Sequence, residues 1–112
     1  MKNFVAVGNT LTITAGADIV SGGGVLAGAI FGIAAGDIAE GSEGTINLTG
    51  VYDLPKQASQ AWTVGAKIYW DAGNARCTTT ANSNTLIGIA VLATGGTAGE
   101  IVGRVRLNGA AV

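Results

Sequence analysis

From Ile46 onward the even positions read Ile46, Leu48, Gly50, Tyr52 and Leu54, with Asn47, Thr49 and Asp53 falling between them. A period of two is the mark of a half-buried strand, one face apolar and the other wet. The alternation returns further on, with Ala66, Ile68 and Trp70 against Lys67, Tyr69 and Asp71. Between these runs lies Pro55 to Ala61, polar and opened by a residue that cannot donate to a strand ladder. It predicts a short crossover or helical turn near 55–61.

Weaker patterns flank this centre. Phe4 to Val7 and Leu11 to Thr14 are short strand candidates parted by Gly8-Asn9, and Thr10, Thr12 and Thr14 give the second a wet face. Val25 to Ala35 is apolar throughout, and its β-branched residues and Phe31 favour one strand, bent at Gly28 and Gly32. Ala72-Gly73-Asn74 predicts a hairpin turn into Ala75 to Thr80, with Asp71 as the first residue of that turn. Leu86 to Ala93 is apolar on both faces, as a central or interface strand would be. In the last run Ile101, Gly103, Val105 and Leu107 point inward against Val102, Arg104 and Arg106. The sum is an all-β fold, a single-domain barrel or sandwich of about eight to ten short strands spanning residues 1–112.

Composition sharpens this picture. The chain is 48% hydrophobic but only 12% charged, against roughly 25% for an ordinary soluble domain. So little charge leaves little solvated surface, which suits a subunit of an assembly. Nineteen glycines and one proline fit many strands and tight turns. A net charge of −1 with scattered basic residues argues against nucleic acid as the main partner. Arg104 and Arg106 read as a solvated strand edge. The longest apolar run, Val25 to Ala35, is far short of the roughly 20 residues of a membrane helix. With no signal peptide evident either, the expectation is a soluble protein made inside the cell.

Candidate chemistry is sparse. The chain has no histidine, which removes the usual general base and every Ser-His or Cys-His nucleophile pair. Cys77 is the sole cysteine, so it forms no intrachain disulfide and reads as a small core filler. Ser21-Gly22-Gly23-Gly24 lacks the lysine of a phosphate loop and reads as a turn. Asp37, Glu40 and Glu43 lack the spacing of a calcium loop and read as a solvated acidic loop. Asp71-Ala72-Gly73 lacks the hydroxyl that braces an aspartic-protease loop. No enzyme, cofactor or metal is expected.

Several segments together resemble a known family. They are Met1-Lys2-Asn3-Phe4-Val5 with Leu11-Thr12-Ile13-Thr14, Val25-Leu26-Ala27-Gly28 with Phe31-Gly32-Ile33-Ala34, and Gly50-Val51-Tyr52-Asp53-Leu54-Pro55-Lys56. Trp62, Gly65, Lys67-Ile68-Tyr69-Trp70-Asp71, Thr78-Thr79-Thr80 and Leu86-Ile87-Gly88-Ile89-Ala90 complete the pattern. It resembles the capsid cement, or head decoration, proteins of tailed bacteriophages, and the spacing from Leu-Pro-Lys to Tyr-Trp-Asp is the most specific part. The resemblance implies an all-β homotrimer on the outside of the virion head, bound to the major capsid protein and reinforcing the expanded shell. No nucleic acid or membrane partner is implied. Members have also carried a RecA/RadA-type recombinase label, but this chain has neither the nucleotide-binding motif nor the length of a strand-exchange ATPase.

The resemblance also suggests site residues. Residues 1–7 would form an extended arm, with Met1, Lys2, Asn3, Phe4 and Val5 meeting the capsid. From the residues themselves, and not from the resemblance, Tyr52, Trp62, Tyr69, Trp70, Ile87, Ile89 and Val91 are assigned to the core or the subunit interface. A different role, in surface adhesion or carbohydrate binding, would use Trp62, Tyr69 and Trp70 as exposed stacking platforms.

Overall fold

Strands form where β-branched and aromatic residues alternate with Thr, Lys and Arg, and they break at the glycines. In the computed structural model, which describes residues 8–109, this gives nine strands and, among those residues, no helix. They are β1 (Thr10–Thr14), β2 (Gly24–Ala27), β3 (Ile30–Ala34), β4 (Glu43–Asn47), β5 (Thr49–Pro55), β6 (Lys67–Asp71), β7 (Arg76–Thr78), β8 (Thr85–Ala90) and β9 (Val102–Asn108). The fold is all-β, as the alternation predicts. The strand candidate Phe4 to Val7 lies outside the described residues.

Two antiparallel sheets result, one of order β1-β4-β3-β2 and one of order β5-β9-β8-β6-β7. The chain passes from the first to the second once, at the buried Leu48. The expected single strand from Ile46 is thus two strands in different sheets; Ile46, Leu48 and Leu54 are buried and Tyr52 half-buried, but Gly50, at φ +117°, is exposed. The five-stranded sheet curls until its edges meet. A parallel bridge joins Lys56 to Cys77, and the Gln57 N–H donates to the Cys77 carbonyl at 2.9 Å. The result is a small, incompletely closed barrel.

Three further expectations need correction. Val25 to Ala35 is a hairpin, β2 paired with β3, because Gly28 at φ +61° turns the chain between them. Pro55 ends β5 in register with Val102 instead of leaving the ladder, and residues 56–61 form a turn that crosses the end of the barrel. Ile101 is exposed, since β9 begins only at Val102. Within β9, Gly103, Val105 and Leu107 are buried and Val102, Arg104 and Arg106 exposed.

Each lobe has its own apolar cluster. Val25, Ala34, Ile38, Ile46 and Leu48 fill the first. The second gathers Leu54, Trp62, Ile68, Trp70, Ile87, Val105 and Leu107 inside the barrel, and β3 reaches into it with Phe31 and Ile33. The Phe31 and Trp70 rings lie 4.8 Å apart at 46°. Gly24 makes room for that contact, since a Cβ there would sit 2.8 Å from both rings.

Candidate interaction surfaces

The crossover places Trp62 as a plug in the end of the barrel. Its indole is 1% exposed, and a Cβ on Gly103 would collide with it. Nε1 donates to Gln60 Oε1 at 2.9 Å, an oxygen that also accepts the Thr79 N–H. Gln60 Nε2 donates to Thr78 Oγ1, and Thr78 Oγ1 donates to Gln57 Oε1. Lys56 is buried beside them. Its Nζ donates to the carbonyls of Gln57 and Glu100 at 2.8 and 3.0 Å and lies 5.7 Å from the Trp62 ring centroid. This polar cap locks the barrel end and leaves the indole no surface.

The other assigned residues divide between core and surface. Trp70 and Ile87 are buried. Tyr52 is half-buried against the barrel cluster, and its hydroxyl donates to the Thr49 carbonyl at 3.1 Å. Val91 is half-buried, its N–H donating to the Arg104 carbonyl. Tyr69 and Ile89 face outward, Tyr69 half-buried and Ile89 38% exposed. Met1 to Val5 lie outside the described residues. With both indoles buried, the stacking platforms of a carbohydrate-binding role are reduced to Tyr69.

What reading the sequence missed is the outer face of the barrel. Lys67 pairs in register with Ile89, Ile89 with Arg106, and Arg106 with Val51, so these four form one row across four strands. Leu86 joins that face opposite Tyr69, where the β6–β8 register shifts. Gly88 is required beside them because a Cβ would collide with the Arg106 carbonyl. Lys67, Leu86, Gly88, Ile89, Arg106 and Asn108 line a shallow groove of about 170 Å³. Arg104 and Arg106 therefore lie mid-sheet, between β5 and β8, and not at an edge. Arg104 is neutralised by Asp53 through two hydrogen bonds, at 2.9 and 3.2 Å. That contact holds the Asp53 carboxyl below its ordinary range and raises the guanidinium.

The first lobe presents an acidic tip. An antiparallel bridge joins Ile19 to Ile38, and each flanking loop caps the other. The Ser21 N–H donates to Asp37 Oδ1 and the Glu40 N–H to Asp18 Oδ1, both at 2.8 Å. Val20, between Ile19 and the capped Ser21, is 70% exposed. Between the lobes runs a cleft of about 320 Å³ bordered by Asp18, Val20, Gly22, Gly24, Pro55 and Trp70.

Reactive chemistry is confined. Burial pushes the Cys77 thiol up to about 12, so it is an inert filler. Asp71 opens the β6–β7 turn and accepts from Asn74 Nδ2 at 2.8 Å, which lowers its carboxyl. Among the described residues no group of three acidic or cysteine side chains is placed to hold a metal ion, and no helix is long and apolar enough to cross a membrane.

Comparison with known proteins agrees with the resemblance read from the residues. The family model described as phage cement protein matches residues 5–107. No curated protein and no solved structure matches the chain. The match takes in both sheets, the crossover and the barrel's outer face, so the chain belongs to the phage cement protein family.

Proposed function

We propose that this protein binds the outer surface of the phage capsid and stabilises the expanded head. Family membership gives a structural role in the phage virion; the finer reading is that the ligand is assembled major capsid protein and that the protein acts as a homotrimer. The observation that carries it is the family match over residues 5–107. The architecture supports it, because a small all-β unit with few charges can add bridging area between subunits of a shell. Each contact need only be modest, since a trimer touching several capsid subunits gains from multivalency. On this reading the domain is one unit, and residues 1–7 serve as an arm whose Met1 to Val5 meet the shell. No catalytic step, cofactor, nucleic acid or membrane enters. The protein is made in the host cytoplasm and ends on the capsid exterior.

The test is co-sedimentation with expanded empty heads, followed by calorimetry of the heads. Saturable binding and a raised head melting temperature are expected. Equal binding to free capsid monomers, or none to heads, would overturn the reading.

A further inference from the structure

Charge is segregated between the two lobes. Residues 8–48 carry four carboxylates and no basic residue, a net charge of −4. Residues 49–109 carry five basic residues and three carboxylates, a net charge of +2. The four carboxylates of the first lobe are Asp18, Asp37, Glu40 and Glu43, and none has an ion-pair partner among the described residues. Three of the five cations on the second lobe are already occupied. Arg76 and Arg104 pair with Asp71 and Asp53, and Lys56 is buried on two carbonyls. Lys67 and Arg106 remain, and they flank the exposed Ile89 in the same cross-strand row.

The two surfaces are complementary in charge, and each carries exposed apolar area beside its charges. One bears the exposed Val20, two residues from Asp18 and next to the Ser21 whose N–H Asp37 accepts; the other is an apolar groove lined by Leu86, Gly88 and Ile89 together with Lys67 and Arg106. We infer that the acidic tip of one copy docks in the Lys67/Arg106 groove of a second copy. This is a heterologous contact, different patches meeting, and such a contact repeated around an axis closes a ring. Val20 supplies desolvated apolar area, while the charges fix register and exclude a tip-to-tip approach. The inference rests on the self-association in the trimeric reading and names its interface. It is independent of what the trimer then binds.

The experiment compares four full-length chains by sedimentation equilibrium at low and high salt. They are wild type, a groove reversal (Lys67→Glu with Arg106→Glu), a tip reversal (Glu40→Lys with Glu43→Lys) that leaves the Asp18 and Asp37 caps in place, and the two reversals combined. Wild type should associate, and more weakly in high salt. Each single reversal should weaken association about 100-fold by setting like charges face to face. The combined chain should regain it, since the pair is restored with opposite sign. A fifth chain, Val20→Ser, should associate more weakly without any change of charge, and thermal melts confirm that all five fold. Single reversals that still associate, or a combined chain that stays monomeric, would overturn the inference. So would a groove reversal that keeps wild-type mass but no longer co-sediments with expanded heads, because the groove would then face the shell. Failure of wild type to bind heads while the four-chain pattern holds would sink only the capsid reading.

Discussion

Trp62 shows how one residue's environment sets its role. Its ring fills the space left by the missing Cβ of Gly103, so Gly103→Ala forces an overpacked core. We expect it to cost about 1–3 kcal/mol in denaturant unfolding; an unchanged midpoint would mean the indole can move aside. Cys77 carries a pH prediction. Its thiol rises from an ordinary 9.0 to about 12 on burial, so the folded chain keeps a proton that the unfolded chain sheds. The contribution is full below about pH 9 and is lost as pH rises toward 12. Wild type should therefore lose stability more steeply than Cys77→Ala between about pH 8 and 10.5. Equal slopes would show the thiol reaches water. That Cys77 is a filler was legible from the absence of histidine and its strand-like neighbours. The indole's position was not, because its bond to Gln60 and its stacking on Gly103 depend on a crossover path that no local pattern encodes.

At the scale of elements, alternation gave the inward and outward positions of β6 and β9, but the run from Ile46 to Leu54 hid a change of sheet at Leu48, since alternation continues through it. The other misreading came where apolarity was continuous. Val25 to Ala35 has no polar residue to mark a turn, and only the positive φ of Gly28 makes it a hairpin. The groove was illegible for a related reason: Lys67, Ile89 and Arg106 are neighbours only through ladder register, and the bulge near Ile68 and Tyr69 shifts that register. The crossover offers a test of how the barrel end is held. Gln60→Ala leaves the Trp62 indole N–H and the Thr79 N–H without their acceptor, each buried or nearly so. A loss of about 1–3 kcal/mol is expected, together with faster exchange of the indole hydrogen. Unaltered indole exchange would assign the lock to Lys56 instead.

The whole molecule is elongated, 49 × 34 × 23 Å, with its two lobes coupled through Phe31, Ile33 and Trp70. Phe31→Ala should cost about 3–5 kcal/mol and split a single melting transition into two; one sharp transition would show that the backbone junction alone couples them. The single passage at Leu48 has a further consequence, for synthesis. Every ladder of the first sheet lies within residues 10–47, so that half can complete its pairings while the rest is still being translated. The barrel cannot. Its opening strand β5 has β9 as its ladder partner, so β5 must wait for nearly the last residues made. During that interval β5 is an unpaired template beside a finished sheet. The slow step of folding, and the window for misassembly between nascent copies, therefore belong to the closure of the second half.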